Sequence, residues 1–176
     1  MRLSETKTAA LATAVMLAAR AALAQEEETP AEPERRIVIS LADRKLALIE
    51  NGRVVKVWST AVGKPSTPTP AGVYKIANRI PNPTWWGPKK EVVGPGKGNP
   101  LGTRWMGLSL KGYGIHGTND PRSIGRRASH GCIRMRNADV EELFAKIRVG
   151  DMVELVAEPG EELAWIFGAT EPVAAE

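Results

Sequence analysis

The chain has 176 residues and a formal net charge of +4, and 43% of its residues are hydrophobic. This length predicts a single domain with some residues to spare. The single cysteine excludes an internal disulfide, and the mildly positive charge does not argue for a nucleic-acid partner.

Residues 1–24 contain the three parts of a secretory signal in the expected order. Two cations lie in the first seven residues, an apolar run follows at 9–19, and Ala-Leu-Ala at 22–24 is typical of a cleavage site. Arg20 interrupts the apolar run, which makes the run too short to span a bilayer. We expect export across the cytoplasmic membrane to the periplasm or cell wall. An uncleaved amphipathic helix is the alternative.

Short strands are predicted for the first half of the domain. Residues 25–35 are rich in Glu and Pro and are predicted to form a disordered linker. After the linker, apolar runs bounded by turn residues predict strands, and Asn51-Gly52 is a strong hairpin signal. The predicted strands are 37–41, 45–50, 53–62 and 72–77.

Residues 78–105 contain five prolines, five glycines and three tryptophans, without a regular period. An irregular segment of this length inside a compact domain is usually functional or disordered. Tryptophans argue against disorder because they need a surface to bury against. We predict a lid loop in which Trp85 and Trp86 face the substrate, with a structural Ω-loop as the alternative.

One helix is predicted late in the domain, at about residues 138–147, with Asn137 as its N-cap. Its apolar residues recur at helical spacing: Val140, Leu143, Phe144 and Ile147. Further short strands are predicted at 107–110, 113–116 and 152–156. Residues 157–176 are predicted to be an acidic tail whose Trp165 and Phe167 pack back on the domain. The predicted fold class is therefore mostly β, a sandwich or partly closed barrel with one main helix.

The residues with catalytic chemistry cluster in one Gly-rich segment that runs from His116 to Cys132. Cys132 is the only cysteine, and His116 and His130 are the only histidines. At its reference pKa a cysteine is only a few per cent thiolate at neutral pH, so a catalytic cysteine needs a base or a cationic setting. His116 ends a predicted strand and is the candidate base, and Arg134 and Arg136 favour the thiolate.

The backbone beside the thiol is a candidate oxyanion site, because Gly131 has no side chain and the N–H groups of residues 130–132 are close together. One competing interpretation is an inert buried thiol with structural histidines. Another is a zinc site made of His116, His130 and Cys132, which lacks an obvious further ligand other than Asp120. We therefore predict no metal and no cofactor.

Several segments together resemble the catalytic domain of the L,D-transpeptidases, bacterial enzymes that cross-link peptidoglycan through a cysteine. The signature segments are Ile115-His-Gly-Thr, Ile124-Gly-Arg and Ser129-His-Gly-Cys-Ile-Arg-Met135, and further matching segments begin at Thr69, Asn82 and Asn99. The resemblance covers about residues 36–156 and implies the fold of that catalytic domain.

By this resemblance, Cys132 is the nucleophile and His116 is the general base and later the general acid. The Gly117 carbonyl orients the imidazole, and His130 gives its backbone N–H to the oxyanion hole. The residues expected to border the oxyanion or the substrate are Ser129, Gly131, Arg134, Trp85 and Trp86.

The resemblance implies peptidoglycan stem peptides as donor and acceptor. Cys132 attacks the diaminopimelate–D-Ala bond of a tetrapeptide, a thioester forms, and an amine of a second stem resolves it to a 3–3 cross-link. An envelope protein is an alternative acceptor, and water would make the enzyme an L,D-carboxypeptidase or endopeptidase. Exchange of D-amino acids and a non-catalytic wall-binding module are further alternatives. The stem carboxylates fit a basic site, and five arginines lie in or beside the motif: Arg122, Arg126, Arg127, Arg134 and Arg136. For Arg122, Arg126 and Arg127, an ordinary solvated basic loop is the alternative.

Overall fold

The computed structural model describes residues 34–168. The predicted signal at 1–24, most of the predicted linker and the last residues of the predicted tail lie outside this range. The described strands are β1 (Arg35–Ser40), β2 (Lys45–Glu50), β3 (Arg53–Ser59), β4 (Val62–Gly63), β5 (Gly72–Pro81), β6 (Trp85–Trp86), β7 (Val92–Val93), β8 (Arg104–Leu108), β9 (Gly114–His116), β10 (Arg127–Ser129), β11 (Ile133–Arg134) and β12 (Met152–Val156). The described helices are α1 (Asn137–Lys146) and α2 (Glu161–Gly168), with short 3-10 turns at Pro88–Lys90 and Pro121–Ser123.

Eight strands form one mixed sheet in the order β11-β9-β8-β5-β12-β1-β2-β3. Strands β1, β2 and β3 are an antiparallel meander, and the β2–β3 hairpin turns through Asn51 and Gly52. Both turn residues have positive φ, 49° and 75°, as the favoured two-residue hairpin turns require. The predicted hairpin is therefore confirmed. The parallel pair β1–β12 brings the two ends of the domain together.

The sheet is buried on both faces at β1, which explains why its apolar run is continuous and does not alternate. Ile37 and Ile39 belong to the larger core cluster, which includes the buried side of α1. Val38 belongs to a smaller cluster that Leu163 and Ile166 of α2 complete. Full burial of one such side chain stabilises the fold by about 1.5–3 kcal/mol.

The mostly β class and the main helix are confirmed, but α2 departs from the prediction of a tail after residue 156. Phe167 is buried, as predicted, whereas Trp165 is 53% exposed. A helix this short is marginal in isolation, so its contact with the sheet stabilises it. The Pro- and Gly-containing sequence around α2 does not predict a helix.

The segment 78–105 is more regular than predicted. Strand β5 continues to Pro81 because its last residues pair with β8, and β6 and β7 form a small antiparallel pair. The rest of the segment is a loop that Asn99 stabilises. Its buried side-chain amide donates to the carbonyls of Pro83, Val93 and Gly94, at 2.7, 3.2 and 3.1 Å. Trp105 lies in β8 and not in the loop.

Helix α1 begins at Asn137 itself, so Arg136 occupies the cap position and the N-cap prediction for Asn137 is wrong. The Asn137 side-chain oxygen accepts instead from the backbone N–H groups of Thr118 and Thr103, at 3.1 and 3.4 Å. This side chain therefore ties the start of the helix to the ends of two neighbouring segments. Neither described helix has the length and apolar character needed to cross a membrane.

Candidate active site

Parallel pairing of β9 with β11 brings the predicted nucleophile and base to one place. The register aligns Arg134 with His116, and Cys132 is the residue immediately before β11. One step further along this register, Cys132 lies beside Gly114. Because alternate residues of a strand share a face, Cys132 and Arg134 lie on the same face of the sheet as His116.

The His116 imidazole is held in one orientation. It is 4% exposed, and its Nδ1 lies 2.6 Å from the Gly117 carbonyl oxygen. A carbonyl only accepts, so Nδ1 carries the proton and Nε2 of the neutral ring has the free lone pair. The pKa of His116 is lowered from 6.5 to about 4, chiefly by burial; the Gly117 hydrogen bond opposes this lowering, and the nearby Arg134 charge adds to it. The ring is therefore a neutral base at physiological pH.

Trp105 fixes the imidazole from the neighbouring strand. Its ring stacks on His116 with centroids 5.7 Å apart and an interplanar angle of 24°. A Cβ at Gly114 would lie 2.6 Å from the Trp105 ring, so only glycine allows this placement. Sequence reasoning grouped Trp105 with the lid loop, and only the β8–β9 pairing, which sets Trp105 opposite His116, identifies its role.

Cys132 is a half-buried free thiol. Its sulfur lies 3.6 Å from the Gly112 carbonyl oxygen, an acceptor for the S–H. Burial raises the pKa of the thiol above its ordinary value, while the Gly114 N–H and the Arg134 charge act in the opposite direction. The predicted influence of Arg134 therefore has the correct sign, but burial outweighs it, and the resting site holds a thiol and a neutral imidazole.

Two hydroxyl groups fix the turn that precedes the thiol. Ser129 Oγ accepts from Gly131 N–H at 3.0 Å and donates to the Cys132 carbonyl at 2.5 Å. Thr69 Oγ1 donates to the Gly131 carbonyl at 2.8 Å and accepts from Gly63 N–H at 2.8 Å. Gly131 has φ of 114°, and a Cβ there would lie 2.7 Å from the Tyr113 ring. Glycine is therefore required at 131 for both its backbone conformation and its packing.

The side chain of His130 is exposed, in contrast to that of His116. Its Nε2 lies 3.4 Å from Lys64 Nζ, which places a cation beside the turn that carries Cys132. Sequence reasoning did not select Lys64. Lys64 directly follows Gly63, the last residue of β4, and the parallel pairing of β4 with β10 brings it to the motif. The role predicted for His130 uses its backbone N–H, which is independent of this side-chain contact.

The motif segment between His116 and Cys132 carries three exposed cations. Arg122 and Arg126 lie on the loop between β9 and β10, and Arg127 is the first residue of β10. A cavity of about 370 Å³ on this loop is lined by Asp120, Arg122, Ser123, Arg126 and Ala128. Among residues 34–168, no three His, Cys, Asp or Glu side chains are grouped as metal ligands.

The predicted lid tryptophans lie on the small β6–β7 pair. Trp85 is half-buried against Gly87, where a Cβ would lie 2.2 Å from its ring, and Trp86 is 74% exposed. The Asn119 side chain donates to the Gly98 carbonyl at 3.0 Å and so connects the motif loop to the lid loop. Contact of either tryptophan with substrate stays a prediction.

The fold is a curled, mostly β sheet in which His116 ends β9 and Cys132 immediately precedes β11, the strand paired with β9. A free thiol and a buried imidazole in this arrangement define a candidate cysteine–histidine site. The YkuD family, described as an L,D-transpeptidase catalytic domain, matches residues 34–155. The chain belongs to this family, which confirms the resemblance drawn from the motifs.

Relatives of known sequence and structure agree with this assignment. YkuD of Bacillus licheniformis, named as an L,D-transpeptidase, is 46% identical over 120 residues, which cover 68% of this chain and 64% of that protein. YqjB of Bacillus subtilis is 39% identical over 131 residues, covering 72% and 73%. The catalytic domain of the Enterococcus faecium L,D-transpeptidase is 29% identical with a TM-score of 0.58, covering 69% of this chain and 96% of that domain. The chain thus spans less than two thirds of the length of the B. licheniformis relative.

Proposed function

We propose that this chain is an exported cysteine L,D-transpeptidase that acts on peptidoglycan stem peptides. The observation that carries the proposal is the buried, neutral His116, fixed through Nδ1 on the strand beside the one that presents Cys132. Membership of the family supports the same chemistry. Export belongs to the proposal because the substrate lies outside the cytoplasmic membrane and residues 1–24 have the pattern of a secretory signal.

In the first half-reaction, Cys132 attacks the carbonyl carbon of the diaminopimelate residue that precedes the terminal D-Ala. Since the resting thiol is protonated and the imidazole is neutral, the thiol proton passes to Nε2 of His116 as the S–C bond forms. The Gly117 carbonyl stabilises the imidazolium that results. His116 then protonates the departing amine as the C–N bond breaks, which releases D-Ala and leaves a thioester.

In the second half-reaction, an amine of an acceptor stem attacks the thioester carbon. His116 accepts the proton that the amine loses and returns it to the sulfur as the S–C bond breaks, so the free thiol is restored. The product is a 3–3 cross-link. An amine of an envelope protein would react in the same way, and water in its place would give L,D-carboxypeptidase activity.

The charge of the site supports a substrate that carries carboxylates. Arg134 lies beside both reacting groups, and its charge influences the pKa of His116 and of Cys132. Lys64 adds positive charge beside the turn that carries Cys132, and the motif segment itself carries exposed arginines. Such complementarity favours the encounter with an anionic stem peptide. We assign Trp85 and Trp86 to the lid that covers the donor.

Incubation of the chain from Gln25 onward with purified disaccharide-tetrapeptide, followed by mass analysis of protein and products, tests this proposal. We expect a covalent adduct on Cys132, release of D-Ala and accumulation of a cross-linked dimer. The Cys132→Ala variant is the control and should give none of the three. Tripeptide without dimer would favour the carboxypeptidase, and the absence of both adduct and products would refute the proposed chemistry.

A further inference from the structure

Thr69 makes a buried bridge to the turn that carries the nucleophile. It lies in the loop between β4 and β5, 62 residues before Gly131, and is 7% exposed. Its hydroxyl donates to the Gly131 carbonyl and accepts from Gly63 N–H, each at 2.8 Å. Both hydrogen-bonding functions of the hydroxyl are therefore used, and its position is fixed from two sides.

The loop that carries Thr69 is itself tightly placed. A Cβ at Gly63 would lie 2.4 Å from the Thr67 carbonyl oxygen and 2.5 Å from the Thr69 backbone nitrogen. The loop backbone therefore folds directly over Gly63, which is possible only because this residue has no side chain. The Thr69 hydroxyl is consequently presented by a closely packed loop, which is also joined to the motif by the bonds of Lys64 N–H and the Thr67 hydroxyl to the Ser129 carbonyl, at 3.1 and 3.3 Å.

The bond from Thr69 sets the direction of the next N–H group. In a planar trans peptide, the carbonyl of one residue and the N–H of the following residue point in opposite directions. Holding the Gly131 carbonyl toward Thr69 therefore turns the Cys132 N–H away from Thr69. Within residues 34–168, this N–H donates to no acceptor.

Ser129 determines which neighbouring backbone N–H group remains available to bind an oxyanion. It takes the Gly131 N–H at 3.0 Å and holds the Cys132 carbonyl at 2.5 Å. Thr69 and Ser129 thus fix the peptide planes on both sides of the Cys132 Cα. Of the Gly131 and Cys132 N–H groups, only the second is left to bind a developing oxyanion.

We propose that Thr69 is a positioning residue that aims the Cys132 N–H at the oxyanion formed during acyl transfer. This inference rests on the proposed function, because it needs a tetrahedral intermediate on the Cys132 sulfur. Thr69 does not touch the reacting atoms and acts through the Gly131–Cys132 peptide. Complete loss of an oxyanion donor typically slows acyl transfer by about 10²- to 10³-fold. Loss of its alignment alone should slow acylation by about 10- to 100-fold.

Two matched pairs of proteins separate the effect of the Thr69 hydroxyl on the reaction rates from the effect of side-chain volume. Wild type and Thr69→Val have the same shape and differ in the hydroxyl, and Thr69→Ser and Thr69→Ala differ in the same way at smaller volume. The first measurement is the rate at which the disaccharide-tetrapeptide forms an adduct on Cys132. The second is the rate at which iodoacetamide alkylates Cys132, a reaction that displaces iodide from a tetrahedral carbon and forms no oxyanion.

We expect Thr69→Val and Thr69→Ala to acylate about 10- to 100-fold more slowly than their hydroxyl-bearing partners, with alkylation rates within about twofold. If Thr69→Val does not fold, the Ser and Ala pair gives the same comparison. An equal loss of both rates would show a merely structural role and overturn the inference, as would unchanged acylation in the variants without the hydroxyl. Absence of an adduct on the wild type would instead refute the proposed function, and the inference with it.

Discussion

Burial of His116 should make the folded chain sensitive to acid in a defined pH range. Its pKa is lowered from the ordinary 6.5 to about 4, chiefly because burial disfavours the charged ring. Between these two values the unfolded chain binds the proton more tightly than the folded chain, so the free energy of unfolding falls as the pH falls. At about 1.36 kcal/mol per pH unit, the loss between pH 6.5 and pH 4 reaches about 3 kcal/mol.

Urea unfolding of the wild type and of His116→Gln at several pH values between 7 and 4 measures this contribution. Carboxylates titrate in both proteins, so the difference between the two curves isolates His116. We expect that difference to change by about 3 kcal/mol over the range, and to be constant above pH 7. Parallel curves for wild type and His116→Gln would refute the reasoning, because they would mean that the imidazole protonates equally in both states.

Three further predictions concern the supports of the site. Gly114→Ala places a methyl group 2.6 Å from the Trp105 ring. We expect the rate of acylation to fall by more than about 10-fold, because the imidazole stacked on that ring must shift. Gly98→Ala, where the added methyl group meets open space, is the control and should keep the wild-type rate. Asn137→Ala removes the acceptor of two backbone N–H groups and should lower the free energy of unfolding by about 1–3 kcal/mol. Asn137→Asp retains an acceptor, so its free energy of unfolding should fall less. Equal unfolding curves for the wild type and both variants would contradict this role of Asn137. Trp85→Ala should impair acylation by the donor far more than it lowers the melting temperature, and matching losses of both would count against the lid.

Local sequence patterns were sufficient where neighbouring residues determine the structure. Asn51 and Gly52 specify their hairpin because both adopt positive φ at low cost. The apolar spacing that includes Val140 and Leu143 specifies a helix with one buried face, found one residue earlier than predicted. Helix α2 could not be found in this way, because a segment of eight residues gains its stability from packing on the sheet.

The sequence by itself determined which residues could carry the chemistry, since one thiol and two histidines share a single short segment. Only the tertiary structure decided that His116 is buried and that the His130 side chain is exposed. It also decided the protonation of the resting pair, because the pKa values of His116 and Cys132 follow burial more than nearby charge. Thr69 reaches Gly131 across 62 residues, a contact that no local preference encodes. Residues close in sequence specify turns and the apolar periodicity of helices and strands. Burial, charge proximity and strand pairing depend on segments that only the folded chain brings together.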